Sequence, residues 1–376
     1  MIAMRAVFIV ARQIAKDWLL WIVVLASIII NSILLLSDPS GARMCQTANN
    51  MVEYYGEKVS SDNVFCIERD LNAILSKASD AYCERYGKAN LDVSELYRAG
   101  FLGSEEYEKV VLMQRMQSCG QAALDDASQL KTFSVSELSD TRKTLYKKIL
   151  PIVSAELIII AVYVMLRTLE TGVVTNTAPL EYATRSGRRI DIVKISAAFV
   201  VISFLCLLVN ICAITLFCWR YPGAVSVTSI LPVLIWKASS VIDISESAYL
   251  ACWLSTGFAV ICIFAILAAA AGLAFRNSFV GFLTLCAYSC GLFGLQTVSF
   301  DNLSFWEELA QWNPVGLFLI FKEGAIEVQS EKWFLVMESG YVLCGSELLV
   351  VAIWLAFSLA VLGTVWRFFK RKESAT

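Results

Sequence analysis

Long apolar segments are the feature that most limits how this chain can fold. Residues 18–36 hold no charge, and comparable apolar segments occupy residues 149–165, 195–219, 249–275, 277–300 and 348–366. A helix needs about 20 apolar residues to cross roughly 30 Å of hydrocarbon. Hydrophobic residues make up 57% of the 376 residues and the mean hydropathy is +0.64, which is too apolar for a soluble protein of this length. We therefore predict an all-α, polytopic membrane protein with six transmembrane helices.

The polar segments divide the chain into three regions. Residues 1–36 contain an N-terminal helix and the first span, residues 37–148 a mainly helical domain, and residues 149–376 spans two to six. Arg5, Arg12 and Lys16 fall on one side of a helical wheel, which predicts that the N-terminal helix lies in the membrane interface. A signal peptide is the competing interpretation of residues 18–36, but no A-x-A site follows, so we expect an uncleaved anchor.

The distribution of positive charges predicts the orientation in the membrane. Cations precede the first span, lie between spans two and three and between spans four and five, and follow the sixth span. Cytoplasmic loops carry an excess of Lys and Arg. We therefore expect a multi-pass plasma-membrane protein, of a bacterial type, with both termini cytoplasmic. This orientation makes residues 37–148 an extracellular domain and residues 301–346 a set of extracellular surface helices.

The residue types that are missing exclude several kinds of chemistry. The chain has no histidine, which removes zinc–histidine sites, Ser–His and Cys–His nucleophiles and histidine proton relays. The pattern G-x-x-x-x-G-K-[ST] is absent from the sequence, so the chain holds no P-loop. No metal or catalytic site is predicted, and energy from ATP would have to come from another chain.

Five ionisable or reactive residues stand out against this background. Cys45, Cys66, Cys83 and Cys119 lie in the domain 37–148 and permit three pairings. They favour disulfides if the domain is extracellular and free thiols if it is not. Glu156 lies inside the second span, where a carboxylate is costly unless it faces protein or water. It either lines a substrate path or contacts another subunit, or it is an interfacial carboxylate or one hydrogen-bonded to a neighbouring helix.

The polar stretch 166–194 completes the pattern on which a family resemblance depends. It follows span two with Glu170 and Gly172, continues through TAPLEYATRSGRR and ends at Lys194. The turn Asn313-Pro314 follows a surface segment before the last span. With six spans, an interfacial entry helix and a large domain after the first span, the chain resembles the transmembrane permease subunits of type-2 ABC exporters.

The resemblance implies that residues 177–189 form a short coupling helix docked in a groove of a separate ATPase subunit. Thr177 before a proline is a workable helix start, and Gly187 is the expected stop. Leu180 and Tyr182 would supply apolar contacts. The residues implied in coupling are Glu170, Gly172, Thr177, Leu180, Tyr182, Arg185, Arg188 and Arg189. The alternative is a basic loop that only fixes topology and contacts lipid.

The leading functional hypothesis is therefore the permease subunit of an ATP-driven exporter. Such a unit has two permease subunits, identical or different, and two ATPases that bind ATP and Mg²⁺, while this chain needs no cofactor. A hydrophobic or amphiphilic peptide, lipid or drug is the substrate class that family analogy suggests. The alternative is a non-transporting receptor or sensor whose extracellular domain binds a ligand. An intramembrane enzyme is weaker, because no second intramembrane carboxylate accompanies Glu156.

Overall fold

A computed structural model describes residues 2–87, 92–125, 133, 135–139, 141, 144–174, 187–224, 246–275, 277–298 and 344–374. Within these ranges the ordered elements are helices, and no β-strand is present. They are α1 (Ile2–Ile14), α2 (Trp18–Leu36), α3 (Pro39–Tyr55), α4 (Ser61–Tyr86), α5 (Val93–Arg98), α6 (Ser104–Asp125), α7 (Val135–Leu138), a π-helical segment (Thr144–Ile149), α8 (Leu150–Val174), α9 (Gly187–Arg220), α10 (Glu246–Phe275), α11 (Ser278–Val298) and α12 (Cys344–Ser374). The prediction of an all-helical chain is confirmed for this part.

The junction between α1 and α2 is set by Asp17. This residue has extended backbone angles, and its Oδ1 accepts a hydrogen bond from the Leu19 N–H at 3.1 Å. An acceptor at this position satisfies one of the N–H groups that the first helical turn leaves unpaired. The helix that follows, α2, has the bounds predicted for the first span, 18–36. α1 is a separate helix and packs against α9.

Helices α3 to α7 lie within residues 37–148, the range predicted to form a helical domain. Asp38 caps α3 by accepting from the Gly41 N–H, and Ser60 caps α4 by accepting from the Asn63 N–H. Gly87 ends α4 with a positive φ of 66°, a conformation that glycine adopts without strain. α4 packs against α5 and α6, and α3 packs against α4, α6 and α7. A shared apolar core results, with Ile67, Leu112, Met113 and Met116 fully buried.

α8 is the central helix of the membrane region, since it packs against α2, α9, α10 and α11. In the most apolar part of each helix, 67% of the residues are buried in the protein for α8 and for α10, against 28% for α2 and 17% for α12. The run of small residues in α10 explains its close packing, because Ala265, Ala268 and Ala269 have no exposed surface. α8 and α10 therefore form the interior of the bundle, and α2 and α12 its periphery.

The prediction of six spans is confirmed only in part. Among the described residues, five helical segments are long and apolar enough to cross a membrane: Trp18–Leu36, Thr144–Glu170, Ile190–Arg220, Trp253–Phe275 and Val350–Phe368. In α11 the apolar helix within the described residues is Ser278–Gly291, which is shorter than a span. The predicted fifth span, 277–300, is therefore not confirmed over the described part of the chain. The surface helices predicted for residues 301–346 lie almost wholly outside it.

The helical domain contacts the bundle at the end of α9. The Cys45 thiol donates to the Pro222 carbonyl at 3.4 Å, and Gly223, with φ at 79°, lies so close to Asn49 that a Cβ would come within 2.7 Å of its Oδ1. Cys45 is fully buried here, and this burial raises the pKa of its thiol to about 11. A neutral thiol that fills a packed contact is the state that this environment favours.

The predicted disulfides find no support in this arrangement. No disulfide joins Cys45, Cys66, Cys83 or Cys119 among the described residues. Cys66 and Cys83 both lie on α4, about 25 Å apart along the helix axis, so they cannot pair with each other. That spacing removes one of the three pairings and leaves Cys45 with either Cys66 or Cys83 in the remaining two.

Candidate functional site

The structure places the predicted coupling residues in two groups. Gly172 lies in the last turn of α8, and Arg188 and Arg189 lie in the first turn of α9. The other five are Glu170, which lies in α8, and Thr177, Leu180, Tyr182 and Arg185, which lie outside the described residues. Within the polar stretch 166–194, α8 ends at Val174 and α9 begins at Gly187.

The described helices differ from the expectation of a loop at 166–194 in two respects. α8 continues to Val174 and α9 begins at Gly187, so both helices extend well into the polar stretch. Gly187 starts a helix of 34 residues and does not stop one. The physical reason is that a transmembrane helix continues past the hydrocarbon, because the charged residues that follow its apolar part are also good helix formers.

Glu170 is fixed against the start of α11. Its Oε2 accepts from the Ser278 hydroxyl at 2.6 Å, and its Oε1 lies 3.4 Å from the Ser278 backbone nitrogen, which donates to it. Asn277 caps the same helix, because its Oδ1 accepts from the Phe279 and Val280 N–H groups. A carboxylate at a helix N-terminus is stabilised by the unpaired N–H groups and by the helix dipole.

Arg167 and Tyr163 continue this set of contacts towards the α1–α2 junction. The Arg167 guanidinium lies 3.6 Å from Glu170 Oε2 and 3.7 Å from Asp17 Oδ2. The Tyr163 hydroxyl donates to the same Asp17 oxygen at 2.9 Å. Asp17, Tyr163, Arg167, Glu170 and Ser278 therefore form one connected set, which we call the α8-end network.

A cavity of about 340 Å³ lies beside the α8-end network. Its walls come from α1, α2 and α8, and they combine apolar side chains with Gln13, Lys16, Asp17 and Arg167. The remaining lining residues are Val10, Ile14, Trp18, Leu20, Tyr163, Val164 and Thr168. The end of α1, the start of α2 and the C-terminal part of α8 therefore meet at this cavity.

Leucine side chains pack the end of α8 closely onto two other helices. A Cβ on Gly281 of α11 would lie 2.9 Å from Leu166, and a Cβ on Gly272 of α10 would lie 2.8 Å from Leu169. The absence of side chains at these two glycines allows the helices to approach. The last two turns of α8 are thus held on one side by polar contacts and on another by apolar packing.

Glu156, the candidate residue for a transport path, lies near the middle of the second span and faces α2. Its Oε2 accepts hydrogen bonds from the Ser27 hydroxyl and from Asn31 Nδ2, the latter at 2.7 Å. Ser27 and Asn31 are 4% and 2% exposed, whereas Glu156 is half-buried, so both contacts are part-buried. We call Ser27, Asn31 and Glu156 the mid-span cluster. It matches the interpretation of Glu156 as a carboxylate hydrogen-bonded to a neighbouring helix.

Sequence reasoning missed the partners of both glutamates. Ser27 and Asn31 are four residues apart in the apolar run of α2, a spacing that places them on one helix face. This pattern could have indicated a polar contact for a neighbouring helix. Tyr163 and Ser278 carry no such signal, because their roles depend on how α8, α2 and α11 pack together.

The comparisons with known proteins add no further identification. No protein-family model, no curated protein and no solved structure matches the chain. Composition and structure therefore support a more general description: an all-helical chain, over the described residues, with several helices apolar enough for a multi-pass membrane protein. Any more specific function has to be argued from the geometry of the two polar clusters and from the stretch that follows α8.

Proposed function

We propose that this chain is the permease subunit of an ATP-driven exporter in the plasma membrane. It would move a hydrophobic or amphiphilic substrate with energy from ATP hydrolysed by a separate P-loop subunit. In this proposal residues 277–300 complete a sixth span, both termini are cytoplasmic, and the helical domain 37–148 is extracellular. A second permease subunit, identical or different, would complete the membrane unit.

The observation that carries the proposal is the α8-end network. Glu170 and Arg167 connect the last turns of α8 to the start of α11 through Ser278 and to the α1–α2 junction through Asp17. Leu166 and Leu169 add close packing on α11 and α10. A displacement of the stretch after α8 would therefore be passed to several membrane helices at once, as a transporter driven from one end requires.

The charge of the stretch that follows α8 supports a protein partner. Arg185, Arg188 and Arg189 fall within five residues, and Leu180 and Tyr182 precede them. Arginine forms bidentate contacts with carboxylates and is favoured at interfaces. A groove with an apolar floor and acidic rim on an ATPase would complement these residues, and ATP-driven closure of two such subunits would then move α8 and α9.

The proposal is tested by finding whether a neighbouring gene encodes a P-loop ATPase and by co-expressing the full chain with that ATPase. We expect the two to co-purify, and we expect Arg188→Glu/Arg189→Glu to weaken the association about tenfold or more, since reversed charges at an interface repel. Arg5→Glu/Arg12→Glu is the matched control, because these exposed arginines of α1 lie on the same predicted side. Equal association of both double variants would refute docking at the arginines.

A second variant separates docking from energy coupling. Glu170→Gln removes the charge that Arg167 and Ser278 contact, while residues 177–189 stay intact. We expect normal ATPase binding but less substrate moved per ATP hydrolysed. If the wild-type chain binds no ATPase and a soluble ligand binds to the helical domain instead, the receptor hypothesis replaces this one.

A further inference from the structure

We propose that the mid-span cluster is a binding site for a small monovalent cation, with Na⁺ as the ligand. Ser27, Asn31 and Glu156 bring a carboxylate, an amide and a hydroxyl together from α2 and α8, in the middle of the membrane region. This site is distinct from the α8-end network and does not depend on an ATPase.

The charge of Glu156 is the first argument. Both groups that contact it, the Ser27 hydroxyl and the Asn31 amide, are neutral. Among the described residues no Lys or Arg forms an ion pair with it. A carboxylate deep in a membrane needs a compensating charge or water. One monovalent cation neutralises the cluster, whereas a divalent cation would leave an excess positive charge.

The side chain of Asn31 is the second, independent argument. Its Nδ2 donates to the Ser27 carbonyl at 2.9 Å and to Glu156 Oε2 at 2.7 Å. Because both partners are acceptors, the amide orientation is fixed, with Oδ1 as the remaining atom. This Oδ1 is buried and has no hydrogen-bond partner among the described residues, although Asn31 is only 2% exposed. A buried acceptor without a partner is costly, and a cation would satisfy it.

The ligand chemistry favours Na⁺ over a transition metal. The available atoms are carboxylate, amide and hydroxyl oxygens, which are hard ligands. No cysteine or histidine belongs to the cluster, and groups of His, Cys, Asp or Glu that could hold a metal ion do not occur in the described part of the chain. Intramembrane Asn, Ser and Glu oxygens between two helices suit an ion that binds weakly enough to leave again.

The test compares the thermal stability of the full chain in nanodiscs in NaCl and in choline chloride at equal ionic strength. We expect Na⁺ to raise the Tm by about 2–5 °C and this rise to be lost in Asn31→Leu and Glu156→Gln. Asn210→Leu is the matched control, because Asn210 Nδ2 makes the same bond to a carbonyl four residues back, that of Cys206, in α9. It should keep the Na⁺ effect.

Each outcome decides the proposal. An equal Tm in the two salts overturns it, as does a Na⁺ effect that survives Glu156→Gln. If Asn31→Leu does not fold, Glu156→Gln and the milder Ser27→Ala carry the test. If Na⁺ has no effect but acidification in choline chloride raises the Tm of the wild type and not of Glu156→Gln, a proton occupies the cluster and the assignment to Na⁺ is wrong.

Discussion

Glu156 and Glu170 make the same contact at two depths of one helix. Both lie on α8, about 21 Å apart along the axis, and each accepts a hydrogen bond from a serine hydroxyl of another helix. Glu170 also has Arg167 beside it and the N-terminus of α11 in front of it. Among the described residues, the groups that contact Glu156 are the neutral side chains of Ser27 and Asn31.

The difference shows that a hydrogen bond does not by itself determine the role of a carboxylate. At the end of α8 the charge is balanced within the protein, so the contact can serve as a mechanical connection. In the middle of the span the described contacts of Glu156 supply no opposite charge, and charge interactions are strong where the surroundings are apolar. The mid-span cluster therefore needs a compensating positive charge, which Arg167 supplies in the α8-end network.

Charge reversal at the two glutamates is expected to have the largest effect. Glu156→Lys places an ammonium inside the span without a carboxylate to pair with it, which should destabilise the folded chain by about 3 kcal/mol. Glu170→Lys lies nearer the helix end, where a lysine can extend towards the interface and Asp17 is close, so we expect about 1 kcal/mol. Unfolding in detergent with increasing denaturant measures both values, and equal losses would contradict the distinction between the two sites.

Packing around the end of α8 provides the next largest effect. Gly281→Leu would force a side chain into the space that Leu166 occupies, so we expect a loss of about 2 kcal/mol. Because Leu166 lies one turn before Glu170, the variant should also separate Glu170 from Ser278. Gly291→Leu is the control on the same helix, since nothing lies within 4 Å of its added Cβ.

Two measurements, thermal unfolding and cysteine crosslinking, test the effect of Gly281→Leu. Thermal unfolding should distinguish the two glycine variants, and cysteine crosslinking between the end of α8 and the start of α11 should fall only in Gly281→Leu. Similar destabilisation by both variants would mean that helix propensity, rather than packing against Leu166, controls the result.

The sequence predicts helices better than contacts in this chain. The bounds 18–36 of α2 could be predicted because the apolar run begins directly after Asp17, a residue that caps helices well. The ends of α8 and α9 could not, because hydropathy detects only the part inside the hydrocarbon. Glu170 could be singled out from its position after a span, but its partner Ser278 lies on a distant segment, and only the packing of α11 against α8 brings it there.

Removal of each serine hydroxyl should lower the free energy of unfolding by a smaller amount, and by more at Ser27 than at Ser278. Ser27→Ala removes a buried donor to Glu156, and we expect a loss of about 1 kcal/mol, within the range of hydrogen bonds between membrane helices. Ser278→Ala removes the donor to the partly exposed Glu170, where water and Arg167 compensate, so we expect about 0.5 kcal/mol. The same denaturant titration measures both, and the reverse order would mean that Glu170 is the less compensated carboxylate.

The response to salt is expected to be as small as the effect of Ser278→Ala, and it distinguishes the two clusters without changing the packing of either. Arg167 is 47% exposed and lies 3.6 and 3.7 Å from its two carboxylates, so its ion pairs are screened when choline chloride rises from about 0.1 to about 1 M. We expect the wild-type chain to lose about 0.5 kcal/mol of unfolding free energy over this range. Arg167→Gln should reduce this loss, whereas Glu156→Gln should retain it, because in the described part of the chain the mid-span cluster has no ion pair to screen. A salt response unchanged by Arg167→Gln would mean that Glu170 is balanced by the N-terminus of α11 alone, and the connection between α8 and the α1–α2 junction would then depend on Tyr163.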